Sequence, residues 1–337
     1  MKNMNRTFPS TRLRRTRMSN FLRKLTSETL FTKNDLIWPV FITEGKNKRD
    51  EIKSMPLIYR YSIDKLISEL DVLVKIGLQA VALFPHIENS KKDQDGSLAL
   101  DPDNLVCRCI KEIKKKFPEI GIICDVALDP YTSHGHDGII YNDQVSNDQT
   151  ISILKKQALI QADAGCDILA PSDMMDGRVL GIRNSLEKNG FKNTLIMSYS
   201  AKYASCFFGP FREAIQSEKL IKPINKKSYQ MNPANSNEAM HEVSMDISEG
   251  ADMVIIKPGL PYLDIISKCK NEFKIPVFAY QVSGEYSMIM AAAKMGFLNL
   301  DDVIFESLIC FKRAGSDGVF SYFTPYVLEE MNKKVPG

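Results

Sequence analysis

The chain has 337 residues, of which 44% are hydrophobic and 25% are charged, and its formal net charge is +3. This balance is typical of a folded globular protein, and it excludes a disordered chain, a collagen-like fibre and a disulfide-stapled miniprotein. The small net charge indicates no nucleic-acid partner, and no stretch approaches the roughly 18 consecutive apolar residues of a membrane span.

The first 27 residues contain no acidic residue and eight lysines or arginines. Their composition leaves three interpretations open: an organelle transit peptide, a nucleic-acid arm, or a basic arm that lies on a partner subunit. The seven cysteines are odd in number and scattered through apolar runs, which predicts reduced, buried thiols in a reducing compartment.

From residue 35 onward, short runs rich in Val, Ile, Leu and Phe alternate with longer amphipathic segments. Each run is nearly continuous in apolar character, as are strands buried on both faces of a parallel sheet. The runs predict eight strands, over residues 36–42, 79–85, 120–128, 166–171, 194–200, 251–257, 276–282 and 318–323.

The segments between the runs predict helices, because their apolar residues recur at helical spacing. Ser62 is a candidate N-cap, and Gly250 and Gly296 stand where helices should end. Residues 226–235 are polar and contain a proline, which predicts a lid or loop. The predicted helices cover residues 62–76, 104–116, 147–164, 237–250, 262–273, 285–295 and 301–314.

Eight strands joined by helical connections predict an α/β fold of the (β/α)8 barrel type. The main alternative, an open doubly wound sheet, prefers a Gly-rich phosphate turn after its first strand, and residues 41–45 offer none. We therefore expect one barrel domain over residues 35–337, preceded by a basic arm over residues 1–34.

Chemistry in such a barrel takes place at the carboxyl ends of the strands. Polar or ionisable residues follow six of the predicted strands, and this favours one active site over separate structural roles. The candidates are Asp125, Asp129, the segment 131–137, Ser172, Asp173, Asp176, Arg178, Tyr199, Lys202, Lys257, Tyr280, Ser283, Ser321 and Tyr322.

Lys257 is the most informative of these residues, because it ends a strongly apolar strand. Burial and a nearby second cation both lower the pKa of a lysine, and a neutral amine forms a Schiff base with a ketone. Lys202, at the end of the preceding strand, can be that second cation. The alternative is a lysine that extends to solvent at the barrel rim.

Two further clusters allow two interpretations each. His134, His136, Asp129 and Asp137 are typical of a hard-cation or general acid–base site, or of a polar turn-rich loop. A second group of cations can clamp substrate carboxylates or form a solvated charge run. Its members are Arg212, Lys222, Lys226 and Lys227.

Several long motifs resemble those of the porphobilinogen synthase family, also called 5-aminolevulinate dehydratase. The resemblance extends from about Arg12 to the end of the chain. The motifs are 125–138 (DVALDPYTSHGHDG), 170–178 (APSDMMDGR), 197–203 (MSYSAKY), 208–214 (FGPFREA), 229–235 (YQMNPAN), 254–259 (VIIKPG) and 279–286 (AYQVSGEY).

The resemblance implies a TIM barrel with an N-terminal arm. It implies a hydro-lyase without an organic cofactor that condenses two 5-aminolevulinate molecules into porphobilinogen, in tetrapyrrole and haem biosynthesis. Lys257 would form the Schiff base with the first substrate molecule, and Lys202 with the second.

The resemblance also implies roles in substrate binding. Ser283 and Tyr322 match residues that hold the carboxylate of the first substrate molecule. Arg212 and Lys226 match residues that hold the carboxylate of the second substrate molecule. Lys226 stands where many family members have arginine. The positive charge is therefore kept, but the forked hydrogen-bonding geometry of a guanidinium group is lost. Asp125, Ser172 and Phe211 also match the substrate site, the first two around the amine of the second substrate.

The metal-binding positions depart from the zinc-dependent members of this family, which have three cysteines in the 125–138 loop. Ala127, Asp129 and Asp137 occupy those positions here, and carboxylates suit magnesium rather than zinc. The resemblance is therefore to the aspartate-rich class, in which an allosteric Mg²⁺ lies near the position of Glu242. Whether Asp129 and Asp137 also hold a cation stays open.

The resemblance implies a homo-octamer in which arms are exchanged between subunits. Only about eleven residues precede the arm motif, which is short for a transit peptide, so we expect a cytoplasmic bacterial enzyme without a nucleic-acid or membrane partner. Two alternatives remain: a class I Schiff-base aldolase, which needs no second amine, and a basic-armed barrel that binds RNA or lipid. Outside the arm, no basic stripe with interleaved aromatic residues favours the latter.

Overall fold

The computed structural model describes residues 6–217 and 224–333. Eight parallel strands close into a barrel, because β8 pairs with β1 as well as with β7. The strands are Leu36–Thr43 (β1), Ala80–His86 (β2), Gly121–Val126 (β3), Ile168–Pro171 (β4), Leu195–Lys202 (β5), Met253–Lys257 (β6), Val277–Gln281 (β7) and Gly318–Ser321 (β8).

All eight predicted strands are therefore confirmed, and the closed barrel confirms the predicted fold class. All residues of β1 are buried, which explains why its sequence is continuously apolar instead of alternating. The register places Lys202 beside Lys257, because the Cα atoms of these two residues are partners in the pairing of β5 with β6.

Helices surround the barrel and cover the outer faces of its strands. The helices are Asn20–Leu25 (α1), Ile63–Lys75 (α2), Leu105–Lys116 (α3), Asn147–Asp163 (α4), Arg178–Lys188 (α5), Gly209–Ile215 (α6), Asn237–Ser248 (α7), Leu263–Phe273 (α8), Ser283–Lys294 (α9), Leu300–Ala314 (α10) and Thr324–Lys333 (α11). In the described part of the chain, no helix is long and apolar enough to cross a membrane.

The seven predicted helices are confirmed, whereas α1, α5, α6 and α11 were not predicted. Gly250 and Gly296 follow α7 and α9 with φ angles of +106° and +74°, as expected of residues that end a helix. Ser62 precedes α2, but its Oγ accepts a hydrogen bond from Lys48 N at 2.9 Å instead of capping the helix.

The described part of the arm, residues 6–34, has no buried residue. Its backbone forms the 3₁₀ segment Leu13–Arg17 and α1, and its apolar side chains extend into solvent. A segment that exposes so many large apolar groups lacks a core of its own. These side chains are Phe8, Leu13, Met18, Phe21, Leu25 and Leu30.

Candidate active site

The carboxyl ends of β3 to β6 and the loops that follow them enclose a narrow cavity. Most of the polar residues proposed from the sequence meet here, although they are far apart along the chain. The lining residues are Asp125, Asp129, Asp137, Ser172, Lys202, Phe208, Phe211, Arg212, Lys226, Gln230 and Lys257.

Lys257 is buried at the end of β6, with 5% of its surface exposed. The alternative of a lysine that extends to solvent is therefore wrong. Four aromatic rings surround its Nζ atom, with centroids at 4.4 Å for Tyr280, 4.9 Å for Phe211, 5.0 Å for Tyr199 and 5.4 Å for Phe208. Across the described residues, no carboxylate lies within 4.0 Å of this amine.

Burial and the neighbouring ammonium of Lys202 lower the pKa of Lys257 to about 7. Aromatic faces attract a cation, but much less strongly than water solvates it. A substantial fraction of Lys257 is therefore neutral at physiological pH and can attack a carbonyl carbon.

Lys202 lies in the opposite electrostatic environment. Its Nζ donates hydrogen bonds to the carbonyl oxygen of Ser172 and to Asp137 Oδ1, the latter at 3.2 Å. Burial alone would lower the pKa of Lys202, but Asp137, Asp129 and Asp125 outweigh it and raise that pKa. The two neighbouring lysines thus differ in charge because only one has carboxylate partners.

Asp137 is the centre of the ionic network. It accepts hydrogen bonds from Lys226 Nζ at 2.9 Å and from the Tyr229 hydroxyl at 2.7 Å, in addition to that from Lys202. Burial opposes the charge, but the two ammonium groups prevail and hold the pKa of Asp137 below its usual range. Lys226 also lies 3.7 Å from Asp129.

The other two carboxyl groups of the cavity titrate differently. Burial, followed by the charge of Asp137, raises the pKa of Asp129. Burial and Asp129 raise the pKa of Asp125 to about 6, and within the described chain Asp125 Oδ1 has no hydrogen-bond partner. A carboxyl with a pKa near 6 can take up and release protons at neutral pH.

Ser283 begins α9 just after β7 and Tyr322 follows β8, and neither is among the lining residues of the cavity. Ser283 Oγ accepts a hydrogen bond from Phe211 N at 3.0 Å, and the hydroxyl groups of Tyr322 and Tyr280 lie 3.1 Å apart. Arg212 lines the cavity from α6. The remaining predicted cation, Lys222, lies outside the described residues.

Some predicted site residues belong to other networks. Arg178 is buried and pairs with Asp246 at 3.2 Å and with Asp173 at 3.7 Å. Neither Arg178 nor Asp173 lines the cavity. His134 and His136 pair with Gln94 O and the Tyr229 hydroxyl, each at 3.1 Å. Among the described residues, no group of three or more His, Cys, Asp or Glu is arranged to hold a metal ion.

Glu242 lies on α7, where it is partly buried. Burial raises the pKa of Glu242 to about 7, although Arg178 acts in the other direction.

Sequence reasoning missed the hydroxyl of Tyr229 and the buried carboxylate of Glu285. Glu285 accepts backbone hydrogen bonds from Leu260 N at 2.7 Å, Val282 N at 2.8 Å and Gly259 N at 3.2 Å, and so connects the ends of β6 and β7. Both residues lie inside the motifs quoted above, but a single sequence does not reveal which atoms they contact.

A (β/α)8 barrel that holds a lysine of lowered pKa beside a charged lysine at its mouth is suited to amine–carbonyl chemistry. The family described as delta-aminolevulinic acid dehydratase has a sequence model that matches residues 10–330. The chain belongs to this family. The match confirms the predicted lyase class and the porphobilinogen synthase function in tetrapyrrole biosynthesis, and it favours them over a class I aldolase.

Individual relatives agree with the family model. A delta-aminolevulinic acid dehydratase of Bradyrhizobium diazoefficiens is 53% identical over 320 residues, which cover 95% of this chain and 90% of the relative. The enzyme of that name from Rhodobacter capsulatus is 48% identical over 318 residues, with coverages of 94% and 96%. The solved Toxoplasma gondii enzyme, in complex with the reaction product porphobilinogen, superimposes with a TM-score of 0.93 at 41% identity, covering 97% of this chain and 95% of that one.

Proposed function

We propose that Lys257 and Lys202 carry the reaction by forming Schiff bases with two 5-aminolevulinate molecules. The observation that supports this proposal is the pairing of two buried lysines on neighbouring strands, of which only Lys202 has carboxylate partners. A neutral Lys257 is ready to attack, so the first substrate reacts there.

The first covalent step follows from the state of this amine. The lone pair of Lys257 Nζ attacks the ketone carbon of 5-aminolevulinate, and the carbonyl oxygen takes up a proton. Loss of that oxygen as water then gives the imine. Asp125, with its pKa near 6, is a suitable proton donor and acceptor for this step.

Lys202 must lose a proton before it can react. Its ammonium contacts Asp137 and lies in the field of Asp129 and Asp125, and the pKa values of the last two are raised by burial. Transfer of the proton from Lys202 to one of these carboxyls frees the amine for the second imine. Condensation of the two bound substrates, through one new carbon–carbon and one new carbon–nitrogen bond, then forms porphobilinogen and releases both lysine amines, since the two waters of the overall reaction already left when the imines formed.

The carboxylates of the substrates need cationic or hydroxyl partners. In this proposal Ser283 and Tyr322 hold the carboxylate of the first substrate, and Arg212 and Lys226 hold that of the second. Lys226 pairs with Asp137 and Asp129, so a substrate carboxylate would share its ammonium group with these two residues. Ser172 and Phe211 complete the cavity, with Phe211 over Lys257.

Replacing Lys257 with Ala should abolish turnover, since among the described residues no other amine lies over these four aromatic rings. Borohydride reduction in the presence of 5-aminolevulinate should add mass to the peptide that contains Lys257 in the native enzyme. The matched control is Lys294→Ala on the exposed end of α9, which should retain full activity and labelling. A label found only on other lysines would show that the assignment is wrong.

We further propose that the arm docks on a second copy of the chain, in a homo-octamer in the bacterial cytoplasm. The exposed apolar side chains of residues 6–34 support this proposal, because an isolated subunit would leave them in water.

Deleting residues 1–34 should therefore give smaller assemblies with lower activity, which sedimentation velocity measures. A truncated protein that sediments as an octamer would contradict the proposal. The Lys294→Ala variant, which leaves the arm intact, should sediment as the native protein does.

We also propose that Mg²⁺ acts away from the cavity, through Glu242, and that the enzyme needs no zinc. The described carboxylates form no direct cage for a metal. Mg²⁺ commonly keeps several waters and is held by one or two carboxylates, so Glu242 fits as a partner of the hydrated ion. An ion at Asp129 and Asp137 would compete with the ammonium groups of Lys226 and Lys202.

A zinc-selective chelator should leave activity largely intact, whereas a general chelator should lower it and Mg²⁺ should restore it. Glu242→Ala should weaken both the Mg²⁺ response of the activity and the Mg²⁺-dependent growth of the assembly seen by sedimentation. Borohydride labelling of Lys257 should persist in this variant. Full Mg²⁺ stimulation of Glu242→Ala, or stoichiometric zinc in the active enzyme, would refute the proposal.

A further inference from the structure

Helix α6 carries two residues of the cavity, yet it has only seven residues. Phe211 lies over the amine of Lys257, and Arg212 lines the cavity. Isolated helices shorter than about 12 residues are marginal in water, so contacts with the rest of the protein must hold α6 in place.

The first turn of α6 is fixed by Ser283 and Gly284, the first two residues of α9. Phe211 N donates to Ser283 Oγ at 3.0 Å, and Ser283 Oγ donates to Phe207 O at 3.3 Å. The backbones of Gly284 and Phe207 are so close that a Cβ atom at Gly284 would lie 2.6 Å from Phe207 O.

The last turn is held by two cations from other parts of the chain. Arg60 donates from Nε to Ala214 O at 2.6 Å and from Nη2 to Glu213 O at 2.8 Å. Lys92 donates to Gln216 O at 2.8 Å and to Ile215 O at 3.3 Å. Four successive carbonyl groups at the end of α6 therefore each accept a hydrogen bond from a cation, and of these Glu213 O also accepts one from Gln216 N at 3.2 Å.

Both cations are attached to the barrel. Arg60 belongs to the short strand Tyr59–Tyr61, where it is the register partner of Phe41 on β1, and Lys92 follows β2. Among the described residues neither side chain has a carboxylate within 4.0 Å, so their charges face the carbonyl end of α6, where the helix dipole is negative.

We propose that Arg60 and Lys92 are positioning residues, which set the location of Arg212 for the second substrate by capping α6. This inference rests on the proposed role of Arg212 in binding that substrate. Loss of either cationic side chain leaves carbonyl groups at the end of α6 without their cationic partner, and α6 is then held less firmly. Binding of the second substrate then weakens, while Lys257 still forms its imine with the first.

The test compares Arg60→Met with Arg60→Lys and with Arg49→Met. Arg49 lies on the neighbouring strand and is half exposed, and its guanidinium contacts the Tyr59 ring instead of α6, so Arg49→Met is the matched control. Arg60→Met should raise KM for 5-aminolevulinate by about tenfold, because it removes both charged hydrogen bonds to α6 and part of their free energy is lost from substrate binding. Arg60→Lys keeps one cationic donor group, so its KM should lie between that of Arg60→Met and that of the native enzyme.

The amount of borohydride label on Lys257 gives the number of intact active sites, and kcat is calculated per labelled site. This correction separates a variant that is partly unfolded from one that binds 5-aminolevulinate weakly. In Arg60→Met, kcat per site should change less than KM. If Arg60→Met does not fold, Lys92→Met removes the other cap and should raise KM in the same direction. A KM within about twofold of the native value, or an equal rise in Arg49→Met, would overturn the inference.

The proposed function is tested separately by the native enzyme. If native protein is not labelled at Lys257, the Schiff-base assignment fails. If native protein is labelled but KM is insensitive to Arg60 and Lys92, only the positioning role fails.

Discussion

The site depends on the burial of the Lys257 amine among aromatic rings, with the charged Lys202 beside it. Burial disfavours the protonated form, and the neighbouring ammonium disfavours it further, so the pKa of Lys257 falls to about 7. The rings of Tyr280 and Phe211 exclude water without offering a carboxylate that would restore the charge. A nucleophile is thus obtained at neutral pH without a dedicated base.

The carboxylates of the cavity maintain this difference between the two lysines. Asp137 binds Lys202 and Lys226 and remains ionised, which keeps Lys202 charged and next to Lys257. Asp125 and Asp129 are buried without comparable compensation, so the pKa of each is raised and they can exchange protons with substrates. Groups of the same chemical type thereby have different roles, because their partners differ.

The sequence predicts the barrel well, because strands buried on both faces leave continuous apolar runs, and it places Lys202 and Lys257 at the ends of successive strands. It does not predict α6 or α11, which are short, or the pairing of Arg178 with Asp246, since long-range ion pairs leave no local pattern. The aromatic rings around Lys257 come from β5, β7 and the Phe208–Phe211 segment, so only the folded chain brings them together. The capping of α6 by Arg60 could not be predicted from the sequence either, because more than a hundred residues separate Arg60 from Ala214.

The most direct test of this account is the pKa of Lys257 itself. Levulinate has the ketone and carboxylate of the substrate but no amine, so its reductive trapping on Lys257 with cyanoborohydride follows one imine alone. The trapping rate, measured against pH by peptide mass spectrometry, should titrate near pH 7 in the native enzyme. In Lys202→Met the titration should move to higher pH, because the neighbouring cation is gone. A native titration near the ordinary lysine value of about 10.4, or one that Lys202→Met leaves unchanged, would contradict the account.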